Sequence, residues 1–354
     1  MTFLPATTPV VYILHENSEW MPPLLAGFEA EGVPVHDWML DAGSIDLTQA
    51  PPEGVFWSRL SASSHTRGHA YAKEYARSVL RWLEAHGRRV INGTHVVELE
   101  ISKVAQYVEL IAAGFDVPAT IAVFGVDDLQ SRARELALPF ITKHNQGGKG
   151  LGVRRFDSYA EFDAYVASTD FEVPVDGITL LQEYVLSAQP FITRAEFVGG
   201  RFVYAVRVDT SAGSFELCPA DACVVAPDGV APEGVAPDGA SPDEIAPGVG
   251  AGLAPAICAV PGTGASLFTR REEIEAGHPL IVKLEAFLAQ HQIEVAGVEF
   301  IETADGRLVT YDVNTNTNYN PDVEAGLADG GGARSVARFL GRELAAHYAP
   351  VPAQ

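Results

Sequence analysis

Cysteine is scarce in this sequence: its 354 residues include three cysteines, Cys218, Cys223 and Cys258. Their number is odd and no two of them form a Cys-x-x-Cys pair, so neither a disulfide framework nor a ribbon-type zinc site is indicated. Neither Cys218 nor Cys223 has an adjacent base that would activate a thiol, which argues against a catalytic cysteine. We therefore expect reduced thiols that take no part in the chemistry.

Basic residues are also few, with 24 Lys and Arg against 46 Asp and Glu, a formal net charge of -22 and a pI near 4.7. Such a charge repels polyphosphate backbones and argues against nucleic acid or an anionic membrane as a partner, so any phosphate site must be local. Residues 1–20 contain no basic cluster, and their apolar run, Val10–Leu14, is too short for a signal core or a membrane span. The sequence thus predicts a cytoplasmic protein.

Apolar residues are plentiful, at 47% of the chain, which is enough for one large core or for two to three smaller ones. The N-terminal part alternates β-rich runs with helical patterns, which predicts an α/β fold with an open parallel sheet. The predicted strands are 10–14, 32–35, 54–57 and 89–91, and the predicted helices are 22–31 and 70–86.

Ligand loops of an open parallel sheet lie beyond the carboxyl ends of its strands. His15–Asn17 and Arg59–Ser61 occupy those ends. Arginine presents a fork that suits a carboxylate, so the second segment is a candidate substrate site, with a solvated loop as the alternative. The same candidate cluster includes Ser64, His65 and Arg67. His65 and His69 have no acidic or cysteine partner nearby in the sequence, which argues against zinc.

The rest of the chain predicts further helices and strands. The predicted helices are 96–114, 158–168, 279–291 and 335–347, and the predicted strands are 139–143, 177–185, 193–198, 201–208, 295–301 and 308–313. Gly199-Gly200 is a two-residue hairpin turn between two of these strands.

A segment from about 221 to 264 differs sharply from its surroundings, because it contains near-identical pentapeptides rich in Pro, Gly and acid. The repeats are 225–229, 230–234 and 235–239. They offer almost no large apolar surface, and we interpret the segment as an extended or disordered insertion. A partner-binding segment is the alternative.

The hairpin from Glu299 to Asn314 holds the strongest candidate site. Glu299 and Asp312 stand near opposing positions on paired strands, and Asn314 lies two residues after Asp312, so it points from the same face. The spacings are 13 (312 minus 299) and 15 (314 minus 299). An acid, acid and amide set suits a hard cation that carries phosphate, and two such ions could bridge nucleotide phosphates. A hairpin with one solvated polar face is the alternative.

A glycine-rich loop follows the predicted strand that ends at Lys143. It includes Gln146, Gly147, Gly148, Lys149, Gly150 and Gly152. Glycines let backbone N–H groups approach phosphate oxygens, and Lys143 and Lys149 supply positive charge. The loop lacks the P-loop pattern, so a connection without a ligand is the alternative. Downstream, Gln182-Glu-Tyr-Val185 has the form of a linker strand whose backbone could pair with adenine while Glu183 takes the ribose hydroxyls.

In order along the chain, these features resemble the ATP-grasp superfamily, and within it the RimK-type carboxylate-amine ligases. The resemblance rests on Ser102-Lys103-Val104, Lys143 before the glycine loop, Leu181–Val185, Arg194, and Gly297-Val-Glu299 with Asp312-Val-Asn314. It covers roughly 92–320 without the insertion. It implies an ATP-grasp fold after an α/β pre-ATP-grasp domain. The expected domains are 1–95 (pre-ATP-grasp), 96–185 (small lid subdomain) and 186–354 (C-terminal subdomain with the insertion).

The resemblance also implies roles for single residues. Lys103 and Lys143 would contact the α- and β-phosphates, and Gly147 to Gly152 would form a lid over the triphosphate. The ribose and adenine would lie against Glu183, Tyr184 and Val185. Arg194 would be catalytic, stabilising charge on an acyl phosphate. Glu299, Asp312 and Asn314 would hold two Mg²⁺ ions, with Mn²⁺ as an alternative metal.

The chain departs from the family pattern in three places. Ile192 replaces an aspartate two residues before Arg194, and the family's Arg-Ser-Asn stretch is missing, with Arg207 as a candidate substitute and Ser214–Cys218 in its place. Where the family has a small turn after the metal asparagine, this chain has Thr315–Asn320, a run of amides and hydroxyls. We expect this run to bind a polar substrate, with Asn316, Asn318 and Arg59 as the contacts. These departures argue against specificity for glutamate, and against modification of a ribosomal protein in particular.

The expected function is an ATP-dependent carboxylate-amine ligase that forms an amide or peptide bond through an acyl phosphate and releases ADP and phosphate. The cofactors are ATP and Mg²⁺, and the expected partners are small-molecule, amino-acid or peptide substrates, in a protein that relatives suggest is a homo-oligomer. A nucleotide-binding regulatory or scaffold protein with the same fold is the alternative. A phosphotransferase of this fold typically needs a catalytic histidine, for which the sequence offers no candidate.

Overall fold

The structure is a computed structural model that describes residues 8–148, 150, 152–211, 267–325, 327 and 330–348. Four predictions lie outside the described residues: the insertion at about 221–264, the segment Ser214–Cys218, the loop lysine Lys149, and the three cysteines.

The N-terminal part forms the predicted parallel sheet, although its second strand is Val35–Met39 and not the predicted 32–35. Its elements are β1 (Val10–His15), α1 (Pro22–Ala30), β2 (Val35–Met39), β3 (Gly54–Arg59), α2 (Ala72–Ala85) and β4 (Arg89–Ile91). The strand order is β2-β1-β3-β4, and all neighbours are parallel. The two central strands are buried along their whole length, as expected of a sheet covered on both faces. Their last residues, His15 and Arg59, are register partners, so the loops that follow start side by side.

The helix predicted over 96–114 is two helices, α3 (Thr94–Glu100) and α4 (Lys103–Ala112). The chain breaks at Ser102, which is extended (φ -139, ψ 105) and whose side chain accepts a hydrogen bond from the backbone N–H of Ala105. Serine favours this N-cap position because its hydroxyl satisfies a free backbone donor. This break makes Lys103, a predicted site residue, the first residue of a helix.

A second sheet is antiparallel and has the order β5-β8-β6-β7. Its elements are β5 (Thr120–Phe124), α5 (Leu129–Ala133), β6 (Phe140–His144), β7 (Arg154–Phe156), α6 (Tyr159–Val166) and β8 (Ile178–Glu183). Phe140, Phe156 and Phe162 pack together between this sheet and its helices. The glycine-rich loop connects β6 to β7.

The third sheet is also antiparallel, in the order β11-β10-β9-β12-β13. Its part of the chain contains β9 (Phe191–Val198), β10 (Arg201–Asp209), β11 (Phe268–Arg270), α7 (Pro279–Gln290), β12 (Val295–Glu302), β13 (Leu308–Asn314), α8 (Pro321–Glu324) and α9 (Gly331–Tyr348). Gly199 and Gly200 both have positive φ, which confirms the two-residue turn between β9 and β10. The last helix begins at Gly331 rather than at Ser335.

The first and third sheets share one apolar core. Residues of β1, β3, α1 and α9 pack with the inner face of the third sheet, while α2 covers the other face of the first sheet. Asn92 connects the end of the first sheet to the start of β12 by hydrogen bonds. Its Oδ1 accepts from the backbone N–H of Glu294 at 3.0 Å, and its Nδ2 donates to the carbonyl of Val295 at 2.7 Å. These bonds position the first residues of β12, the strand that carries Glu299.

Each sheet falls within one of the predicted ranges 1–95, 96–185 and 186–354, and we propose these ranges as the domain limits. No helix among the described residues combines the length and the apolar character that crossing a membrane requires.

Candidate functional site

A cavity of about 580 Å³ is lined by strands of the second and third sheets and by residues of the loops that follow strands of the first sheet. Ligand sites of small molecules and cofactors measure about 300–1,000 Å³, so this space suits a nucleotide with part of a second substrate. Most of the predicted site residues line it, namely Lys103, Lys143, Gly147, Gly148, Gly150, Glu183, Tyr184, Val185, Arg194, Glu299, Asp312, Asn314, Asn316 and Asn318. Arg59, Gln146 and Gly152 do not line it.

The hairpin of β12 and β13 has the predicted register. Glu299 pairs with Asp312, and Gly297 pairs with Asn314. The register shifts between Glu299 and Phe300, so β13 carries one extra residue, Tyr311, at that point. Such a bulge re-aims a side chain, and here the Tyr311 hydroxyl donates to Glu299 Oε2 at 2.7 Å. The sequence pattern did not predict this tyrosine as part of the site.

Opposite charges stabilise both carboxylates of the hairpin. Arg194 donates to Glu299 Oε1 at 2.9 Å, and the Lys103 ammonium donates to Asp312 Oδ1. Burial raises the pKa of Glu299 despite the nearby Arg194. Burial also opposes ionisation of Asp312, but Lys103, Lys143 and Arg194 outweigh it and lower the pKa of Asp312 to about 2. Asp312 is therefore ionised throughout the physiological pH range.

The oxygen ligands of the hairpin fit a hard divalent cation. Glu299, Asp312 and Asn314 line one cavity wall, and the amide of Asn314 lies 3.4 Å from Glu299 Oε1. Among the described residues, no group of three or more His, Cys, Asp or Glu side chains could hold a metal by itself. Carboxylates supplemented by an amide, phosphate oxygens and water are the usual ligands of Mg²⁺. Residues and chemistry thus suit magnesium bound together with a phosphorylated ligand.

Arg194 lies across a glycine of the neighbouring strand. A Cβ atom on Gly297 would lie 2.6 Å from both Nε and Nη2 of the guanidinium, closer than real Cβ atoms come. Besides Glu299, the guanidinium donates to Glu196 Oε1 at 2.7 Å and to the hydroxyl of Thr317 at 2.6 Å. Gly297 is therefore needed so that Arg194 can reach the cavity between its partners.

The linker after β8 forms another wall. The predicted strand extended to Val185, but β8 ends at Glu183, where the side chain accepts from the backbone N–H of Ala119 at 3.1 Å. Tyr184 and Val185 follow the strand and line the cavity. Lys143 lies toward the other end of β6, where it pairs with Leu180, and its ammonium is 5.6 Å from the Tyr311 ring centroid. Lys143 and Glu183 both line the cavity.

The glycine-rich loop contributes only some of its predicted residues to the wall. Gln146 does not line the cavity, and its side-chain oxygen accepts a hydrogen bond from the Lys73 ammonium on α2. Gly152 packs on the ring of His144, which leaves no room for a side chain. Neither residue lines the cavity, and their contact with a nucleotide stays a prediction.

Arg59 is buried behind the cavity wall instead of facing a substrate. One guanidinium nitrogen donates to the carbonyl of Thr317 at 2.7 Å and to Asn318 Oδ1 at 2.8 Å. Burial lowers the pKa of Arg59 to about 10, and Asn318 stands between this charge and the cavity. Arg59 thus supports the loop 315–320 and does not itself line the cavity, and a direct substrate contact stays a prediction.

The other polar residues near the end of β3 pair with one another. Arg67 donates to Glu16 at 2.6 Å and to the hydroxyl of Ser63 at 3.1 Å, and its guanidinium lies 4.8 Å from the Trp20 ring centroid. His69 bonds Glu16 at 3.0 Å. Trp20 and Ser63 line the cavity together with Ser61. Ser63 is close to a predicted strand end, whereas nothing in the sequence pattern distinguished Trp20.

Glu100, at the end of α3, is a further residue that sequence reasoning missed. One oxygen of this buried carboxylate accepts from the backbone N–H and from the hydroxyl of Thr315, each at 2.8 Å. Burial raises the pKa of Glu100 to about 6. Arg207, the candidate substitute for the missing Arg-Ser-Asn stretch, is exposed and does not line the cavity; its guanidinium stacks on the Phe191 ring at 4.7 Å. Its role as a substitute stays a prediction.

No protein-family model matches the chain. A probable alpha-L-glutamate ligase of Xanthomonas euvesicatoria pv. vesicatoria (strain 85-10) is 28% identical over 150 residues, which are 41% of this chain and 49% of that protein. The chain thus spans about half the length of the curated relative that it matches.

Solved structures resemble the chain over nearly its whole length. The RimK domain protein ATP-grasp from Sphaerobacter thermophilus DSM 20745 aligns with a TM-score of 0.58 and 15% identity, covering 93% of this chain and 99% of that one. The ATP-grasp ligase PsnB, complexed with a phosphomimetic variant of its minimal precursor, Mg and ADP, aligns with a TM-score of 0.55 and 13% identity, covering 94% and 98%. At these identities the likeness establishes the fold, and it confirms the predicted fold class. The chain therefore has the ATP-grasp fold.

Proposed function

We propose that this protein is an ATP-dependent carboxylate-amine ligase that forms an amide or peptide bond through an acyl phosphate. The observation that carries the proposal is that three sets of residues line the same cavity. Glu299, Asp312 and Asn314 supply metal-binding oxygens, and Lys103, Lys143 and Arg194 supply positive charge. The linker of Glu183, Tyr184 and Val185 lines the same space. The names of the similar proteins, which are ligases, support this function.

In the proposed site the chain positions a nucleotide and balances its charge. Lys103 and Lys143 bind the α- and β-phosphates, Gly147, Gly148 and Gly150 cover the triphosphate, and the linker holds the ribose and adenine. The hairpin oxygens hold Mg²⁺, which when bound neutralises phosphate charge and polarises the transferring group. Lys149, which lies outside the described residues, is proposed as a further phosphate contact.

The proposed reaction has two steps. A carboxylate oxygen of the first substrate attacks the γ-phosphorus of ATP, the bond to the β-phosphate oxygen breaks, and ADP leaves. An amine of the second substrate then attacks the acyl carbon and expels phosphate, and the amine loses a proton as the amide forms. Arg194 stabilises the negative charge that develops during transfer, because its guanidinium is already oriented by Glu196 and Thr317. The protein need supply no nucleophile.

The substrates belong to the classes of amino acids, peptides or other small molecules, and Asn316 and Asn318 contact them at the wall opposite the nucleotide. A structural neighbour that carries a precursor beside Mg and ADP supports a peptide or similar substrate. The cytoplasmic location and the homo-oligomeric state expected from the sequence stay predictions.

The test is a substrate screen with Mg-ATP. The protein is incubated with one amino acid at a time and a pool of amines or peptides, while ADP, phosphate and new amide products are followed by mass spectrometry. We expect ADP and phosphate to form together with an amide, and Glu299→Ala to abolish all three products.

Release of AMP would rule out the proposed chemistry, as would turnover that is insensitive to Glu299→Ala. Tight binding of Mg-ATP without substrate-dependent turnover across the screen would instead favour the regulatory or scaffold alternative.

A further inference from the structure

One contact ties the glycine-rich loop to a helix of the parallel-sheet domain. Lys73 lies on α2, and its side chain is largely buried. Its ammonium donates to Gln146 Oε1 and lies 3.2 Å from His65 Nδ1. Gln146 follows β6 of the second sheet and directly precedes Gly147 and Gly148, which line the cavity. Lys73 therefore joins two parts of the molecule that close on the same cavity.

The residues around Gln146 are also in contact with neighbouring elements. Asn145 Oδ1 accepts from the backbone N–H of Val104 at 2.9 Å, which fixes the start of the loop to the first turn of α4. A Cβ atom on Gly148 would lie 3.0 Å from the Ser63 hydroxyl, so the loop backbone packs directly on the parallel-sheet domain. Lys73 supplies a hydrogen bond from a charged donor to this junction, and Ser63 supplies the packing.

Burial of the charged Lys73 side chain destabilises the folded protein unless its ammonium makes a compensating contact. Burial lowers the pKa of Lys73 to about 8, although Asp176, Glu16 and Glu74 lie near enough to raise it. Within the described ranges no carboxylate forms an ion pair with this ammonium. Burying a charge without a paired carboxylate costs stability. A lysine that served only the packing of α2 would extend its ammonium to solvent, as long charged side chains do.

We propose that Lys73 is a positioning residue for the glycine-rich loop. Acting through the Gln146 amide, it holds Gly147 and Gly148 against Ser63 and so over the phosphate end of the cavity. The inference rests on the proposed nucleotide site. A loop that is held in place before the ligand arrives loses less conformational freedom on binding, so the contact strengthens nucleotide binding without touching the nucleotide.

The experiment measures the affinity of Mg-ADP by calorimetry and the amide hydrogen exchange of the peptide 143–153. The variants are Lys73→Met, Gln146→Leu, the double variant and Lys73→Arg, which keeps a cationic donor. Lys283→Met is the matched control, because Lys283 lies on α7 and donates to the carbonyl of Gly114. Thermal unfolding of each variant verifies the fold.

We expect Lys73→Met and Gln146→Leu each to weaken Mg-ADP binding by about tenfold, the effect of losing one hydrogen bond to a charged group. The double variant should lose no more than either single variant, because both remove the same contact. Amide hydrogen exchange of the loop should rise in Lys73→Met, in Gln146→Leu and in the double variant. Lys73→Arg should recover part of the Mg-ADP affinity. Lys283→Met should have the affinity and the loop exchange of the natural protein.

Additive losses in the double variant, or loop exchange that stays unchanged in Lys73→Met, would overturn the inference. A fall in melting temperature with unchanged affinity would do the same, since it would show a role in α2 alone. If the natural protein fails to bind Mg-ADP, the proposed nucleotide site fails, and the exchange of the ligand-free loop still decides whether Lys73 positions it.

Discussion

At the hairpin end of the cavity charged side chains face the interior, whereas at the parallel-sheet end two arginines lie behind neutral ones. Lys103 and Asp312 line the hairpin end directly. At the other end Arg59 lies behind Asn318, and Arg67 lies behind Ser63. The same kinds of charge are thus exposed to the ligand in one region and screened from it in the other.

This difference suggests that the hairpin end serves the reaction and that the parallel-sheet end serves substrate selection. Charges that face the cavity can act on the charge that develops during a reaction, and electrostatic effects on rate are largest there. Neutral amides and hydroxyls, held in orientation by a charge behind them, select a ligand by the geometry of its hydrogen bonds. Mutations at the hairpin end should therefore change turnover, and mutations at the parallel-sheet end should change substrate affinity.

The largest effect is expected from Glu299→Gln. The substitution keeps the volume and an acceptor for Arg194, but it removes the charge that would bind Mg²⁺. We expect turnover, measured as ADP release, to fall by about 100- to 1,000-fold, as for loss of a preorganised electrostatic group. The melting temperature should stay within a few degrees of the natural value.

Glu302→Gln is the control on the same strand. Glu302 bonds Arg271 and Thr193 instead of lining the cavity. Its turnover should be close to natural. Equal losses of turnover in Glu299→Gln and Glu302→Gln would show that it makes no difference whether a charge faces the cavity.

A smaller loss is expected from Gly297→Ala, which tests whether Arg194 must lie where it does. The new methyl group would lie 2.6 Å from the guanidinium, so Arg194 has to move away from Glu299. Misplacing a catalytic group by about 1 Å can cost about 100-fold, and we expect turnover to fall by roughly ten- to 100-fold. Gly277→Ala is the matched control, because no atom lies within 4 Å of a Cβ there. Full activity in Gly297→Ala would show that the position of Arg194 is not critical.

Asn318→Asp tests the role of the parallel-sheet end in substrate binding. Arg59 holds Oδ1 of Asn318, which leaves the amide nitrogen as the donor available to a ligand. Aspartate keeps the acceptor for Arg59 and adds a counter-charge, so the melting temperature should hold or rise. We expect KM for the non-nucleotide substrate to change by about tenfold, the effect of one lost hydrogen bond. Mg-ADP affinity, measured by calorimetry, should not change; if it falls in parallel, the two ends of the cavity do not act separately.

The two ends also differ in how far the sequence could predict them. The hairpin end depends on local rules: side chains alternate along a strand, and a short turn sets the register of two adjacent strands. Glu299, Asp312 and Asn314 therefore lie together as predicted. The bulge at Tyr311 was not predicted, because the strand pattern is the same with or without one extra residue.

The parallel-sheet end depends on contacts between distant parts of the chain. Arg59 is an end-of-strand arginine in the sequence, and only the fold shows that the loop 315–320 covers it, 258 positions away. The missed break between α3 and α4 is different, because Ser102 carried a recognisable N-cap signal before Lys103. Packing of a distant loop over a strand leaves no such local signal.

Glu100 lies where the two ends meet, and its titration gives the smallest predicted effect. It lines the cavity and holds Thr315, the first residue after the hairpin. Burial raises its pKa from 4.5 to about 6, so between these values the folded state binds more protons than the unfolded state. The free energy of unfolding should therefore fall as the pH rises from about 4.5 to 6, by at most about 2 kcal/mol from this group. Urea unfolding of the natural protein and of Glu100→Gln over pH 4.5–7 measures the contribution as a difference in slope. Identical slopes would mean that Glu100 titrates normally and that the junction of the two ends is open to water.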